Sequence, residues 1–367
     1  MSFLEELLEG VEIEWRALGE IAELKRGRVM SKVYLLENAG EYPVYSSQTA
    51  NNGEIGKITT YDYDGETITW TTDGANAGTV FHRIGKFSIT NVCGLIKLKD
   101  TKELNYKFLF YWLSIEAKKH VYSGMGNPKL MSNQMAKIPI PIPPLSVQKE
   151  IVRILDTFTE LTAELTAELT AELTARKKQY AYYRDQLLSF EEGEVEWKTL
   201  GETCIHISSG KNKKRDEDGI HPIYGSTGVI GKTNYPVFNY EQILVARVGA
   251  NAGYVHIAQK QYDVSDNTLI VQNNDSIILK FLYYILVNMN LNQFAKGGGQ
   301  PLITASQLKA IIIPIPPLEE QARIVSILDK FDTLTSSISE GLPKEIELRQ
   351  KQYEYYRDKL LTFPKTN

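Results

Sequence analysis

Apolar residues recur at helical spacing in one long segment of the chain. They are Ile151, Ile154 or Leu155, Phe158 and Leu161. A stripe of this kind on one face predicts an amphipathic helix that packs against a partner. No proline or glycine occurs between Leu145 and Leu188. At about 1.5 Å per residue, this helix would be roughly 65 Å long.

The same stripe returns 173 residues later. Its members there are Ile324, Ile327 or Leu328, Phe331 and Leu334. Each stripe needs a partner, and the simplest one is the other helix, antiparallel, which gives a pseudo-twofold axis. The second helix differs in one place, because Gly341-Leu342-Pro343 should end one helix and start another. We therefore expect a continuous first helix and a second helix divided into 318–339 and 343–361.

Short runs of alternating or β-branched residues fill the sequence before each helix. These runs are YPVYSS, ETITWTT and KFSITNVCGLIKL in the first half, and QILVARVG, YVHIAQ and NTLIVQ in the second. They predict strands, and the glycines at Asn52-Gly53 and 297–299 mark turns between elements. Each half therefore predicts a β-rich domain with one additional helix.

Motifs outside the helices are duplicated as well. IEWRALGE (13–20) returns as VEWKTLGE (195–202), and the offset between matched segments drifts from 182 to 173. A period of this length indicates a domain duplication, because solenoid repeats are only about 20–50 residues long. The predicted fold class is α+β, with two tandem β-rich mixed domains separated by two long antiparallel coiled-coil-like helices. The predicted boundaries are 1–144 for the first domain, 145–190 for the first helix, 191–317 for the second domain, and 318–363 for the second helix, broken near 341–343.

The first helix contains Thr-Ala-Glu-Leu three times in succession, from Thr162 to Leu173. A period of four drifts against 3.6 residues per turn, so the leucine stripe rotates by about 40° per repeat and cannot form a strict coiled-coil seam. One interpretation is a low-complexity helix of good intrinsic propensity. The other is a ruler, in which each quartet lengthens the helix by about 6 Å.

Composition is that of an ordinary globular protein, with 43% hydrophobic and 23% charged residues in a chain long enough for two domains. The net charge of −4 argues against a basic protein that simply coats DNA, but local positive charge or a partner could still supply phosphate contacts. Two cysteines indicate a reducing compartment. We find neither a secretory signal nor a run long enough to span a membrane, and expect a cytoplasmic protein.

The catalytic and cofactor motifs that we sought are missing from the sequence. Its five histidines and two cysteines have no metal-ligand spacing. The segment from Gly225 to Lys232 resembles a phosphate-binding loop, but five residues separate its outer glycines where the motif has four. The sequence therefore predicts a non-catalytic protein with no bound metal or cofactor, and a stand-alone enzyme stays open as an alternative.

Two basic clusters follow the duplicated LGE segments at matching places. They are Lys25, Arg26 and Arg28 in the first half, and Lys211, Lys213, Lys214 and Arg215 in the second. A charge run is most often a solvated loop, but repetition in register favours contacts to phosphate. The duplicated Gly-Ala-Asn-Ala-Gly segments (74–78 and 249–253) are either tight turns or sites where a ligand approaches the backbone, with Asn76, Asn251 and Arg247 as its contacts.

The duplicated segments resemble the specificity subunit of type I restriction–modification systems. The resemblance rests on IPIPPLSVQKEIVRILDTF and IPIPPLEEQARIVSILDKF, on the ends RKKQYAYYRDQLLSF and RQKQYEYYRDKLLTF, and on the Thr-Ala-Glu-Leu spacer. It implies two domains that each read one part of a split site in double-stranded DNA, and helices that set their spacing and dock two modification (methyltransferase) subunits. It also implies that S-adenosylmethionine, ATP and Mg are bound by those partners and by restriction (translocase and nuclease) subunits, and that this chain binds none of them.

Under that interpretation, loop residues of each domain would read DNA bases. The candidates are Ser46, Ser47, Gln48 and Asn51 in the first domain and Ser226 and Thr227 in the matched loop of the second. Hydroxyl and amide side chains suit this task because they can donate to and accept from base edges. Asn76 and Asn251 are possible further contacts. The alternative is a scaffold protein that uses the same duplicated helices without binding DNA, and no membrane partner is expected in either case.

Overall fold

A computed structural model describes residues 11–123, 126–297, 299–336 and 341–364. The chain forms two compact units. The first contains Met1–Ala167 and Glu347–Asn367, and the second contains Glu168–Ile346. Both units therefore combine a β-rich domain with parts of the long helices. The four sequence-based boundaries stay a prediction, because the units divide the chain inside those helices.

The first unit has nine strands among its described residues. They are β1 (Glu14–Ala17), β2 (Ala22–Arg26), β3 (Ala39–Tyr45), β4 (Glu54–Ile58), β5 (Thr67–Thr71), β6 (Val80–Arg83), β7 (Ser88–Ile89), β8 (Cys93–Leu98) and β9 (Pro139–Ile142). The main sheet has the order β2-β8-β5-β6 and is antiparallel. A second sheet places β3 between β4 and β7, and β1 pairs with β9.

The described helices of the first unit are α1 (Leu18–Ile21), α2 (Lys32–Glu37), α3 (Tyr106–Lys119), α4 (Ser132–Met135) and the part of α5 (Leu145–Leu187) up to Ala167, together with the helical residues 347–360. Helix α3 packs against strands β5 and β6 of the main sheet. Helix α3 begins after Asn105, whose side chain accepts the N–H of Phe108 at 3.1 Å. Trp70 of β5 is fully buried in the same core. Its ring requires glycine at position 94, because a Cβ there would lie 2.2 Å from the indole.

The second unit repeats this order of elements. Its described strands are β10 (Glu196–Thr199), β11 (Cys204–Ser209), β12 (His221–Gly225), β13 (Gly228–Thr233), β14 (Gln242–Ala246), β15 (Val255–Ala258), β16 (Asp263–Val264), β17 (Thr268–Asn273) and β18 (Ile312–Ile315). Its helices are the rest of α5, α6 (Leu279–Asn288), α7 (Ala305–Lys309), α8 (Leu318–Ser336) and the start of α9 (Leu342–Leu360). The sheets again have the orders β11-β17-β14-β15 and β13-β12-β16.

The two units share even their strand register. Ile68 of β5 faces Ile96 of β8, and Ile243 of β14 faces Val271 of β17, with both partners displaced by 175 residues. The duplication therefore holds at the level of individual backbone pairs. The predicted α+β class, with two β-rich domains and long helices, is confirmed.

The long helices pack in antiparallel pairs inside each unit. In the first unit, Phe158 of α5 contacts Tyr356 of α9, with ring centroids 5.9 Å apart, and Thr159 lies 3.1 Å from the hydroxyl of Tyr353. In the second unit, Phe331 of α8 stacks on Tyr183 of α5 at 5.8 Å. Phe331 is the duplicate of Phe158, and Tyr183 is the duplicate of Tyr356. Each predicted apolar stripe therefore packs against another long helix, but against its tyrosine-rich end and not against the other stripe.

Helix α9 starts directly after a residue with left-handed backbone. Gly341 has φ = +81°, and a Cβ on it would lie 2.5 Å from the carbonyl oxygen of Thr333. Glycine is therefore the residue that this position accepts. Helix α8 extends to Ser336, and the predicted helical residues 337–339 lie outside the described part of the chain.

An aspartate attaches each long helix to the domain that precedes it. Asp156 accepts hydrogen bonds from Lys107 at 2.6 Å and from the hydroxyl of Tyr111 at 2.7 Å, both on α3. In the second unit, Asp329 accepts the same two bonds from Lys280 and Tyr284 of α6, each at 2.6 Å. The aspartate and its Lys-Tyr partners therefore form one clamp that occurs twice.

The first unit is completed by residues close to position 364. Phe363 packs edge-on against Phe108 and in a tilted arrangement against Trp112, with ring centroids 5.9 Å apart in each case. The indole N–H of Trp15 donates to the carbonyl of Pro364 at 3.2 Å. These contacts attach the segment that follows α9 to the core of the first domain. Among the described residues, no helix is long and apolar enough to cross a membrane.

Candidate nucleic-acid interface

The first basic cluster lies at the end of strand β2 and just beyond it. Arg26 donates from Nε and Nη2 to the carbonyl of Asn91, at 3.1 and 2.5 Å. Arg28 donates to the hydroxyl of Tyr34 at 3.1 Å and to Asp62 at 3.0 Å, and both hydrogen bonds raise the pKa of Arg28. Both guanidinium groups therefore already donate hydrogen bonds within the protein, which leaves fewer of their N–H groups for a ligand.

Lys25 is less constrained than the two arginines. Its side chain is about half exposed, and its ammonium lies 3.3 Å from the carboxylate of Glu23. An exposed pair of this kind contributes little energy and can exchange for another anion. Of the first cluster, Lys25 is therefore the residue best suited to contact phosphate.

The second basic cluster is placed differently. Lys211, Lys213, Lys214 and Arg215 are all exposed and follow Gly210 in a loop. None of the four forms an ion pair with any residue that the structure describes. Gly210 duplicates Gly27, since a Cβ at either would lie 2.0–2.2 Å from the carbonyl oxygen of an equivalent residue, Ile89 or Val264. The first cluster therefore lies on both sides of this glycine and the second only after it.

Two of the four candidates in the loop after β3 hold the loop itself together. The hydroxyl of Ser46 accepts a hydrogen bond from Thr90 at 2.8 Å, and the amide of Gln48 donates to the carbonyl of Glu54 at 2.5 Å. Ser47 is half-buried. Asn51 is exposed and has φ = +48°, so it is the member of this set that presents its side chain to solvent.

The corresponding loop of the second domain is a two-residue turn. Ser226 and Thr227 connect β12 and β13, with Gly225 facing Gly228 across the hairpin. Gly228 has φ = +93°. Thr227 is exposed and Ser226 half-buried. Between the matched residue pairs Tyr45–Glu54 and Tyr224–Val229, the first loop has eight residues and the second has four.

The two Gly-Ala-Asn-Ala-Gly segments form the same turn in both units. The N–H of Ala77 donates to Gly74, and that of Ala252 donates to Gly249, each at 2.9 Å. The side chains of Asn76 and Asn251 are exposed. The turn interpretation is therefore sufficient for the backbone, and it leaves both amides on the surface.

Each turn is held by a second loop whose proximity was not evident from the sequence. Gly74 donates to the carbonyl of Pro128 and Gly249 to that of Pro301, both at 3.0 Å. The residues next to these glycines also pair with the second loop. In the first unit, the carboxylate of Asp73 lies 3.9 Å from the ammonium of Lys129. In the second unit, the matching residues Val248 and Leu302 form a backbone β-bridge.

Arg247 occupies a place in the second unit that Arg26 occupies in the first. Its Nη1 donates to the carbonyl of Asp266 at 3.3 Å, and Asp266 duplicates Asn91, the acceptor for Arg26. Yet the two arginines lie on non-equivalent strands, since Arg247 follows β14 and Arg26 ends β2. Each unit therefore places one guanidinium at the same point of the fold, next to its Gly-Ala-Asn-Ala-Gly turn.

One charged residue near the loop after β3 was missed from sequence. Arg83 ends β6, is only 4% exposed, and donates from Nη2 to the carbonyl of Asn52 at 2.7 Å. Burial lowers the pKa of Arg83. The available signal was the contrast between VFHR (80–83) and VHIA (255–258) in otherwise duplicated strands.

Neither cysteine has the properties of a reactive nucleophile. Burial raises the pKa of Cys93 to about 12 and that of Cys204 to about 11, so both thiols are protonated at neutral pH. Within the described ranges, no group of three or more His, Cys, Asp or Glu side chains could hold a metal ion.

Comparison with known proteins matches both halves of the chain to one family. The model of the type I restriction modification DNA specificity domain matches residues 10–175 and again 193–348. The EcoR124I/EcoR124II specificity subunit of Escherichia coli is 38% identical over 410 aligned positions, covering all of this chain and 98% of that protein. The EcoprrI specificity subunit of Escherichia coli is 36% identical and covers 93% of this chain and 92% of that protein.

Solved structures show the same fold at low sequence identity. A chain from a study of complex assembly and conformational transition of the type I R-M system matches with a TM-score of 0.70 at 17% identity, covering 95% of this chain and 97% of that chain. The HsdS subunit from Thermoanaerobacter tengcongensis matches with a TM-score of 0.56 at 17% identity, covering 95% of both chains.

Proposed function

The chain belongs to the type I restriction–modification DNA specificity family, and we propose that each of its β-rich domains reads one half of a bipartite DNA site. It is the DNA specificity subunit of such a system and is itself non-catalytic. One observation supports the division into half-sites most directly. The central strand pairs of the two domains, β5-β8 and β14-β17, share their register residue by residue, whereas the loops after β3 and β12 differ in length and sequence.

The shared and divergent parts of the domains suggest different roles on DNA. A contact made by identical residues in both domains cannot distinguish two different half-sites, so it suits the phosphate backbone. The Gly-Ala-Asn-Ala-Gly turns and the arginines next to them, Arg26 and Arg247, are such contacts common to both domains. The divergent loops, with Asn51 in the first domain and Thr227 in the second, suit base edges. Lys25 and the exposed lysines after Gly210 add phosphate contacts.

Helix α5 would set the distance between the half-sites. It is helical through the whole Thr-Ala-Glu-Leu run, from Thr162 to Leu173. Each quartet adds about 6 Å, or at most two base-pair steps of about 3.4 Å. The repeat is therefore a length setting that changes without altering either recognition domain.

The partners of this subunit would be double-stranded DNA, two modification subunits and the restriction subunits. Exposed tyrosines at the ends of the paired helices support a duplicated docking surface, since Tyr182 and its duplicate Tyr355 are 63% and 61% exposed. Tyrosine is enriched where protein partners bind. S-adenosylmethionine, ATP and Mg would be bound by the partners, and this chain would hold none. The complex would act in the cytoplasm, where its DNA substrate is.

Methylome sequencing tests the proposal. Cells that contain the modification subunit should carry a bipartite methylated adenine motif only when this chain is also expressed. Methylation without any sequence preference in the presence of both proteins would contradict it.

A further inference from the structure

A buried arginine supports one loop of the first domain. The guanidinium of Arg83 lies over the ring of Tyr45, with its central carbon 3.5 Å from the ring centroid. Its Nε donates to Thr69 at 3.2 Å, and its Nη2 donates to the carbonyl of Asn52 at 2.7 Å. Among the described residues no carboxylate forms a direct ion pair with it, and Glu54 is only close enough to raise its pKa. Because a buried cation without a directly paired counter-ion is costly, its position calls for an explanation.

The loop that Arg83 holds has a backbone that is rare for side-chain-bearing residues. Asn51 and Asn52 have φ values of +48° and +55°, and Gly53 follows at +82°. Asparagine tolerates this left-handed region better than most residues. Both asparagines are exposed. The loop is closed at its base by the bond from the N–H of Ser46 to the carbonyl of Gly53, at 3.0 Å.

The second domain has neither part of this arrangement. In the first domain, Arg83 lies opposite Thr67 in the strand pair β5-β6. In the second domain, the duplicate of Thr67 is Gln242, and the residue opposite Gln242 is Ala258. The eight residues 46–53 between the paired Tyr45 and Glu54 correspond there to the four residues 225–228 between Tyr224 and Val229. The buried arginine and the asparagine loop are thus present together in one domain and absent together from the other, as the described residues show.

We propose that Asn51 and Asn52 read an adenine in the first half-site and that Arg83 is the residue that positions them. This inference rests on the proposed function of the first domain. A carboxamide can accept from N6 and donate to N7 of adenine in the major groove, and loss of such a contact costs about tenfold in discrimination or more. Arg83 acts through the carbonyl of Asn52, fixing the backbone from which both amides project.

The test uses the complex of this chain with modification subunits and compares the sequences methylated by each variant. Asn51→Gly and Asn52→Gly, both compatible with the positive φ at these positions, should each relax preference at an A·T position of one half-site by about tenfold. The other half-site should stay unchanged, which shows that the variant is folded and assembled. Thr60→Ala, an exposed change near the same hairpin, should alter neither half-site.

Arg83 is tested by the same measurement. Arg83→Met should relax the same A·T position while the second half-site is still read, and Arg83→Lys, which keeps a donor, should restore part of the preference. If the Met variant does not assemble, the Lys variant and the asparagine variants still decide the matter. Unchanged preference in both asparagine variants, or relaxation at a G·C position instead, would overturn the inference. A wild-type complex without any bipartite motif would instead refute the proposed function.

Discussion

Gln148 accepts the backbone N–H of Asn105 at 2.8 Å, at the residue that caps helix α3. The same side chain donates from Nε2 to the carbonyls of Glu103 and Pro143, at 2.8 and 2.7 Å, and it is fully buried. In the second unit, Gln321 makes three equivalent bonds, to Ile278, Ser276 and Pro316. The glutamine of Pro-Pro-Leu-x-x-Gln therefore attaches the start of each long helix to its domain.

Replacing this glutamine should destabilise the first unit. Gln148→Leu would leave one buried N–H and two carbonyls without partners, at a cost of about 2–4 kcal/mol. Chemical denaturation should show the loss as a lower transition midpoint. Lys149→Ala, one residue further and exposed, should change stability by less than about 0.5 kcal/mol. Equal stability of the Leu variant and the wild type would contradict this role for Gln148.

The exposed lysines after Gly210 should contribute to affinity without contributing to sequence preference. Lys213→Gln combined with Lys214→Gln removes two potential phosphate contacts, so the slope of log K against log salt should become about 1.8 less steep. DNA-binding titrations of the assembled complex at several salt concentrations measure this slope. Lys260→Gln, an exposed change of charge elsewhere in the second unit, serves as the control. An unchanged slope in the double variant would exclude these lysines from the interface.

Removing one quartet should shorten the site without changing its halves. Deletion of residues 166–169 shortens α5 by about 6 Å and rotates the helix segments on either side of the deletion by about 40° relative to each other. We expect the same two half-site sequences, separated by one or two fewer base pairs, when methylated adenines are mapped. Insertion of one quartet should have the opposite effect. An unchanged gap after both changes would show that α5 does not set the spacing.

The duplicated tyrosines should bind one modification subunit each. Tyr182→Ala and Tyr355→Ala should each weaken binding of one of the two subunits about tenfold, because truncating an exposed aromatic anchor at an interface commonly costs 1 kcal/mol or more. Native mass spectrometry should then detect complexes with a single modification subunit. The double variant should bind both weakly. Undiminished two-to-one binding by the double variant would place the docking surface elsewhere.

Much of the fold could be predicted because its signals are local or repeated. The apolar stripe around Phe158 and the Pro-Pro pairs before each helix predicted the long helices. The duplicated motifs predicted two similar domains. The compact units could not be predicted, since helix α5 is uninterrupted and belongs to both. Only the tertiary contacts, such as Phe158 with Tyr356, show which half of each helix packs with which domain.

The candidate interface was less accessible to sequence reasoning. Ser46 and Gln48 have the right chemistry for base contacts, and the sequence could not indicate that they also bind Thr90 and the Glu54 carbonyl. Comparison of the two halves could not reveal that Arg26 and Arg247 donate to duplicate carbonyls, because the two arginines come from non-equivalent strands. The bond between Arg83 and Asn52 spans 31 residues, and no local pattern encodes a contact at that distance.

The contacts of Phe363 with Phe108 and Trp112 have a consequence for biosynthesis. The second unit is one continuous stretch, Glu168–Ile346, and is translated completely before Phe363 is added. The first unit begins earlier but lacks its last core residues until then. On the ribosome, the half made first is therefore the half finished last, with an apolar gap beside α3 that must stay protected from wrong contacts throughout the synthesis of the second domain.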